Sequence, residues 1–294
     1  MEVHGSASRT FSKHITRHVT ALVVVSVLAA AATTALADEP AMTLKWSDRV
    51  LQIQGEQIRD KRLAMYYLEA YCRPGSTNRG FNQTVIPHTT ELLSASDDGH
   101  ELKLKSTVSD GIIVDHTITA RHDAIDFRLT FHNPTDRASE LHWGQPCLRV
   151  GGFTGLDEEK YLAKCFIFLD GRLTRMPTRE WATEGLYTPG QVWVPKGINR
   201  DDVNPRPQSK LVPSHGLIGC FSSDESLLVA IAFEPYQELF QGVFGCLHSD
   251  FRVGGLAPRE SKKVRGKLYV MKNDVPALLK RYEADFPEQV RKEE

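Results

Sequence analysis

Cys246, His248 and Asp250 alternate in Phe244-Gly245-Cys246-Leu247-His248-Ser249-Asp250, so a strand through this stretch projects all three side chains from one face. A carboxylate beside an imidazole holds its tautomer and raises its pKa toward neutrality, which suits general acid–base work. The same trio could ligate a metal, above all with His142 or Cys147 nearby. The plainer reading is a hydrogen-bonded pair at a strand end, before Gly254-Gly255. Glu140-Leu141-His142-Trp143-Gly144-Gln145-Pro146-Cys147 supplies a second imidazole and an indole. Strand neighbours point to opposite faces, so His142 and Trp143 share a pocket only if Gly144 or a bulge bends the chain. Its plainer reading is a core Trp beside a satisfied His.

Arg73-Pro74-Gly75-Ser76-Thr77-Asn78-Arg79-Gly80 is a polar loop with two guanidinium forks. Arginine binds carboxylates, sulfates or sugar hydroxyls in planar, bidentate fashion, and an ordinary solvated loop is the competing reading. Trp143, Trp181 and Trp193 are candidate stacking faces. Asp157-Glu158-Glu159 reads as a helix start or a solvated charge run, whereas Glu234 and Glu238 follow an apolar strand and are better candidate carboxylates. Glycosidase acids must lie a few ångströms apart, which sequence spacing does not report. Ser214-His215-Gly216 matches no nucleophile elbow.

The elements that must position these groups are strands. Glu91–Ser96, His100–Val108, Ile112–Arg121 and Ile125–His132 alternate apolar and polar residues, separated by Asp97-Asp98-Gly99, Ser109-Asp110-Gly111 and His122-Asp123-Ala124. Period-two alternation between such turns means consecutive antiparallel strands. Asp170-Gly171 marks another hairpin, and Lys263–Met271 alternates again. Leu227–Phe233 is unbroken and apolar, as in a strand buried on both faces. Leu63–Tyr71 also reads as a strand. Pro177–Pro213 is rich in Pro, Gly and Asn and reads as long loops, of the kind that cover a site. Helix is sparse: Val275, Leu278, Leu279, Tyr282 and Phe286 share a helical face, capped at Asn273-Asp274 and stopped by Pro287. Fewer than three helices against a dozen or more strands implies an all-β, antiparallel β-sandwich with a C-terminal helix.

Residues 1–37 have the form of a secretory signal: Arg9, Lys13 and Arg17, an apolar run from Val19 to Ala32, then Ala35-Leu36-Ala37. The expectation is export to the periplasm or beyond the cell, leaving one sandwich domain over 38–294 with no membrane span. Removing the leader leaves 33 Lys+Arg against 36 Asp+Glu. That near-balance offers no footprint for nucleic acid. The five cysteines include no CxxC, so a structural zinc site is not expected, and Cys165 and Cys220 within apolar runs read as small buried hydrophobes.

Thr117–Phe131, continuing to Leu141-His142-Trp143, and Phe244–Asp250, continuing to Leu256-Ala257-Pro258-Arg259-Glu260 and Lys263–Val270, resemble the galactose-mutarotase-like group of sandwich proteins, which includes aldose epimerases. In that group two long strands precede a catalytic His, and the catalytic Glu precedes a Leu-x-Pro-Gly-Glu turn. The resemblance implies a supersandwich fold, an acid at His142 and sugar contacts at Asn78-Arg79. The chain departs from the group at the base: Cys246-Leu247-His248 stands where it has Glu, and Arg259 replaces Gly. Epimerisation needs one acid and one base. The functional expectation is thus an exported carbohydrate-related protein, sugar-active or sugar-binding, with a carbohydrate or other small molecule as partner. His142, His248 and Asp250 would move protons, Arg73, Asn78 and Arg79 would make polar contacts, and the three Trp would stack. The alternative is a non-catalytic binding or cell-envelope module with structural His. Neither reading calls for a cofactor or a metal.

Overall fold

Strands, many separated by tight reversals, are the dominant regular structure of the described residues. The computed structural model describes residues 42–58, 61–155 and 160–290; the expected secretory signal and Asp157-Glu158-Glu159 lie outside them. In chain order the strands begin β1 (Thr43–Ser47), β2 (Val50–Gln54), β3 (Leu63–Cys72), β4 (Val85–Ile86), β5 (His88–Ala95), β6 (Glu101–Val108), β7 (Ile113–Ala120) and β8 (Ala124–His132). There follow β9 (Trp143–Arg149), β10 (Cys165–Leu169), β11 (Arg172–Arg175), β12 (Gln191–Trp193), β13 (Leu217–Phe221), β14 (Leu227–Glu234), β15 (Tyr236–Gln241), β16 (Cys246–Arg252) and β17 (Ser261–Lys272).

They form two antiparallel sheets. The first runs β1-β2-β3-β9-β16-β15-β12, with β4 beside β3; the second runs β11-β10-β13-β14-β17-β8-β7-β6-β5. The meander expected from the alternating segments is β5 to β8, paired in sequence order with Leu102 opposite Ile118 and Ile118 opposite Phe127. Gly99 (φ 72°) and Gly111 (φ 100°) supply the left-handed turn residues. Arg259, in the turn before β17, is also left-handed (φ 62°).

The facing surfaces of the sheets make the main core. Tyr67, Leu148, Leu247 and Phe251 of the first sheet meet Phe127, Phe131, Ile231 and Phe233 of the second. Ring centroids stand 5.4 Å apart for Phe233–Phe251 and 5.6 Å for Tyr67–Phe127. Two glycines make room for these rings: a Cβ at Gly144 would lie 2.3 Å from the Phe251 ring, and one at Gly266 would lie 2.3 Å from Phe233. One polar group interrupts the core. His116 places Nδ1 2.9 Å from the Tyr67 hydroxyl and Nε2 2.9 Å from Ser106 Oγ. Burial, with a smaller push from His88, pulls its pKa down to about 3.

The helix Val275–Asp285 covers the outer face of the second sheet. Asp274 caps it by accepting from the Ala277 N–H at 2.9 Å. Leu278, Tyr282 and Phe286 pack on Phe166, Phe168, Leu228, Ala230 and Tyr269. β14 is therefore buried on both faces, which its unbroken apolar run requires. The other described helices, Phe81–Thr84, Gly151–Thr154 and Pro287–Val290, are each one turn, more segments than the sequence pattern reveals. No described helix is long and apolar enough to cross a membrane. All five cysteines are buried and none is disulfide-bonded; Cys165 and Cys220 face each other across β10 and β13 within the core.

Candidate functional site

The outer face of the first sheet carries the polar chemistry. Adjacent strands β3, β9, β16 and β15 set side chains there in rows. Ala70 stands opposite Gln145, and Glu238 opposite Asp250. The β9–β16 register, with Leu247 opposite Leu148 and Phe251 opposite Gly144, aligns Gln145 with Asp250 and Cys147 with His248. Phe240 completes the second row beside His248. Its ring lies 4.8 Å from the imidazole, centroid to centroid.

Within this patch His248 Nε2 is 3.3 Å from Cys246 Sγ, and Nδ1 is 3.6 Å from Asp250 Oδ1. Beyond that ion pair, neither Asp250 oxygen has a hydrogen-bond partner among the described residues. Cys147, Cys246 and His248 are all buried and place their ligating atoms within 4.8 Å of one another, a set of donors that could hold a metal. Glu238, wholly buried, accepts from the Asn204 N–H at 2.9 Å. Burial, and then the adjacent Asp250, push the Glu238 pKa well above the usual carboxylate range. Burial also raises Asp250 to about 6, against the pull of His248. A hydrogen bond from the Cys147 thiol brings Cys246 down to about 4, with His248 adding to the effect, and Cys147 moves up in return. Burial alone would lower His248, but Cys246 and Asp250 outweigh it and raise it. Cys246 and His248 are thus buried partners whose pKa values are pushed in opposite directions, down for the thiol and up for the imidazole, next to carboxyl groups.

Cys246 and His248 of this cluster line a cavity of about 310 Å³, near the lower end of the small-ligand range. Glu69, Gln145, Asn204 and Arg206 give it polar walls, and Phe81, Tyr187 and Phe244 give it aromatic ones. Local irregularities create these walls. Between Tyr66 and Ala70, four steps along β3 oppose two along β9, and this bulge brings Glu69 to the cavity. Gly242 allows the closest approach: a Cβ there would lie 2.3 Å from Cys246 Sγ and 3.3 Å from His248 Nε2. The Pro177–Pro213 segment is ordered around buried Gln191, whose side chain donates to the Pro207 carbonyl and accepts from the Ala182 N–H, both at 2.8 Å. It delivers Tyr187, Asn204 and Arg206 to the rim, so this long loop does border a pocket.

Of the residues that sequence singled out, His248 and Asp250 come together here. His142 does not line this cavity. It precedes β9, five residues or roughly 16 Å along the strand from the position facing His248, and its Nε2 lies 3.3 Å from Arg252. Trp143 is fully buried with Ala70, Cys72, Phe81 and Val85, and Trp193 is fully buried in the core. Trp181 is half-buried, edge-on to Trp193 at 5.8 Å. Arg73 donates to the Val85 carbonyl at 3.0 Å and Arg79 to the Gly75 carbonyl at 3.0 Å, while Asn78 is exposed and outside the cavity lining. Their loop ties down the next one instead: Gly75 N–H donates to Asp202 Oδ1, and Ser76 Oγ to the Val203 carbonyl, both at 2.6 Å. Glu69, Gln145, Asn204, Arg206 and Tyr187 were not singled out, and only the Pro-rich loop signalled the last three. A second cavity, of about 320 Å³, lies by Ser214, His215, Arg252 and Gln289. Among its polar groups, Ser214 and His215 are 3.0 Å apart and Arg252 donates to Gln237 at 2.8 Å.

Fold and site together define an antiparallel β-sandwich with a polar pocket holding cysteine and histidine on the outer face of one sheet. No protein-family model matches the sequence, and no curated protein sequence matches it. Among solved structures the chain is similar to galactose-mutarotase-like proteins, as its motifs suggest. A protein from Synechocystis sp. PCC 6803 aligns over 80% of this chain and 96% of its own, with 11% identity and a TM-score of 0.42. A galactose mutarotase-like protein from Lactobacillus casei ATCC 334 aligns over 78% and 99%, with 7% identity and a TM-score of 0.41. An alpha-N-acetylgalactosaminidase from Bifidobacterium bifidum aligns over 84% of this chain but 37% of its own, with 10% identity and a TM-score of 0.44.

Proposed function

We propose that this is an exported carbohydrate-recognition protein whose ligand, a monosaccharide or the end of an oligosaccharide, enters the pocket over Cys246 and His248. The observation that carries this reading is Gln145. It is 3% exposed and lines the cavity, and its Oε1 has no hydrogen-bond partner among the described residues. A buried carboxamide oxygen without a donor costs about 1–3 kcal/mol, so a ligand hydroxyl that supplies one is favoured. Glu69 accepts from further hydroxyls, and Arg206 donates to ring or hydroxyl oxygens. Tyr187 and Phe244, 38% and 60% exposed, offer apolar faces to the C–H side of a sugar ring. His142 stands outside the pocket, so the acid that the family resemblance implied is not part of this site, and we read the pocket as one for recognition. The leader 1–37 supports export, with processing behind Ala37.

Calorimetric titration of the purified chain with a panel of mono- and oligosaccharides tests this. One site per chain is expected, weakened more than about tenfold (~1.4 kcal/mol) in Tyr187→Ala and in Gln145→Leu. Binding unchanged in both variants, or no heat from any sugar of the panel, would count against the reading.

A further inference from the structure

We propose that Cys147, Cys246 and His248 bind a thiophilic d10 metal ion, of the kind represented by Zn²⁺, at the base of the pocket. Two strands supply the ligands, Cys147 from β9 and the other two from β16, and the sheet register brings them side by side. Their ligating atoms already lie within 4.8 Å of one another, with His248 Nε2 3.3 Å from Cys246 Sγ. Around a tetrahedral zinc, with Zn–S about 2.3 Å and Zn–N about 2.0–2.1 Å, neighbouring ligand atoms stand roughly 3.5–3.8 Å apart. Shifts of under about 1 Å therefore complete the set.

Three further features fit an ion better than a plain thiol cluster. Asp250 sits 3.6 Å from His248 Nδ1, and neither of its oxygens has another partner in hydrogen-bonding geometry among the described residues, an arrangement in which a carboxylate can orient a ligating imidazole so that Nε2 faces the metal. Gly242 leaves open the space against Cys246 Sγ and His248 Nε2 that any Cβ would fill. Cys147, whose thiol donates to Cys246, adds a second sulfur from the neighbouring strand and is placed as a third ligand. Two sulfurs and one imidazole select zinc or cuprous copper over magnesium or calcium. Three protein ligands leave a fourth position, and here it faces the cavity walled by Glu69 and Gln145. A ligand hydroxyl could take that position; this last point rests on the carbohydrate reading, whereas the ion itself does not.

The test uses the full chain, isolated anaerobically and stripped with chelator, then titrated with Co²⁺ as a spectroscopic probe and with Zn²⁺ in competition. A thiolate-to-cobalt charge-transfer band saturating at one ion per chain, and bleached by Zn²⁺, is expected. Cys147→Ser and His248→Gln should abolish it, while Cys165→Ala, at a buried cysteine elsewhere, should keep it. Asp250→Asn should retain the band with affinity lowered ~10–100-fold, the signature of a positioning residue. No band in the wild type, a band that survives Cys147→Ser, or a Cys147–Cys246 disulfide in the freshly isolated chain would overturn the proposal. The wild-type result needs no variant to fold. Sugar calorimetry on the same samples separates the two readings: an ion without sugar binding removes only the carbohydrate, and sugar binding without an ion removes only the metal.

Discussion

His116 should make the sandwich acid-sensitive by a calculable amount. Its imidazole is buried between Tyr67 and Ser106, faces Tyr71 and His88, and is held neutral with a pKa near 3. In the unfolded chain the same group titrates near 6.5. The unfolded state therefore binds the extra proton first as pH falls, so stability is fully present above about 6.5 and declines down to the folded pKa. At pH 5 the unfolded imidazole is about 97% protonated and the buried one scarcely at all, a loss of about 2 kcal/mol relative to pH 8. Near pH 3 and below the loss approaches about 5 kcal/mol. Urea unfolding at pH 8 and pH 5 should be compared between the wild type and His116→Gln, which keeps polar groups but does not titrate. Other groups, His88 among them, titrate in both proteins, so the difference between the two pH losses isolates His116. That difference should be about 2 kcal/mol. Equal losses in the two proteins would refute the assignment of a neutral, buried imidazole.

Gly144→Ala pushes a methyl to 2.3 Å from the Phe251 ring and should destabilise the fold by about 1–3 kcal/mol in urea melts. Leu278→Ala removes a fully buried side chain between the C-terminal helix and the second sheet, and should lower stability by about 2–5 kcal/mol. Mass spectrometry of the exported protein should find Asp38 at its amino terminus. A chain retaining its leader would remove the export reading.

Much of the scaffold is legible from local pattern alone. Alternation over Glu101–Val108, Ile113–Ala120 and Ala124–His132, punctuated by Gly99 and Gly111, specifies a meander whose partners are neighbours in sequence. The same logic puts Cys246, His248 and Asp250 on one face, because strand geometry is fixed by the backbone. Asp274 and Pro287 likewise mark the ends of the C-terminal helix. His142 lies against Arg252 and the Arg73–Arg79 loop bonds its neighbours, contacts that the local pattern does not contain.

What the amino-acid order determined by itself, then, is the alternation, the turns and hence the layered architecture, each a matter of contacts a few residues apart. Tertiary structure alone decided that Cys147 meets His248, about a hundred positions later, and that a β3 bulge brings Glu69 to the same cavity. Such meetings depend on which strands become neighbours in the sheet and at what offset. That choice is made by the packing of the whole core, and no short window of sequence contains it.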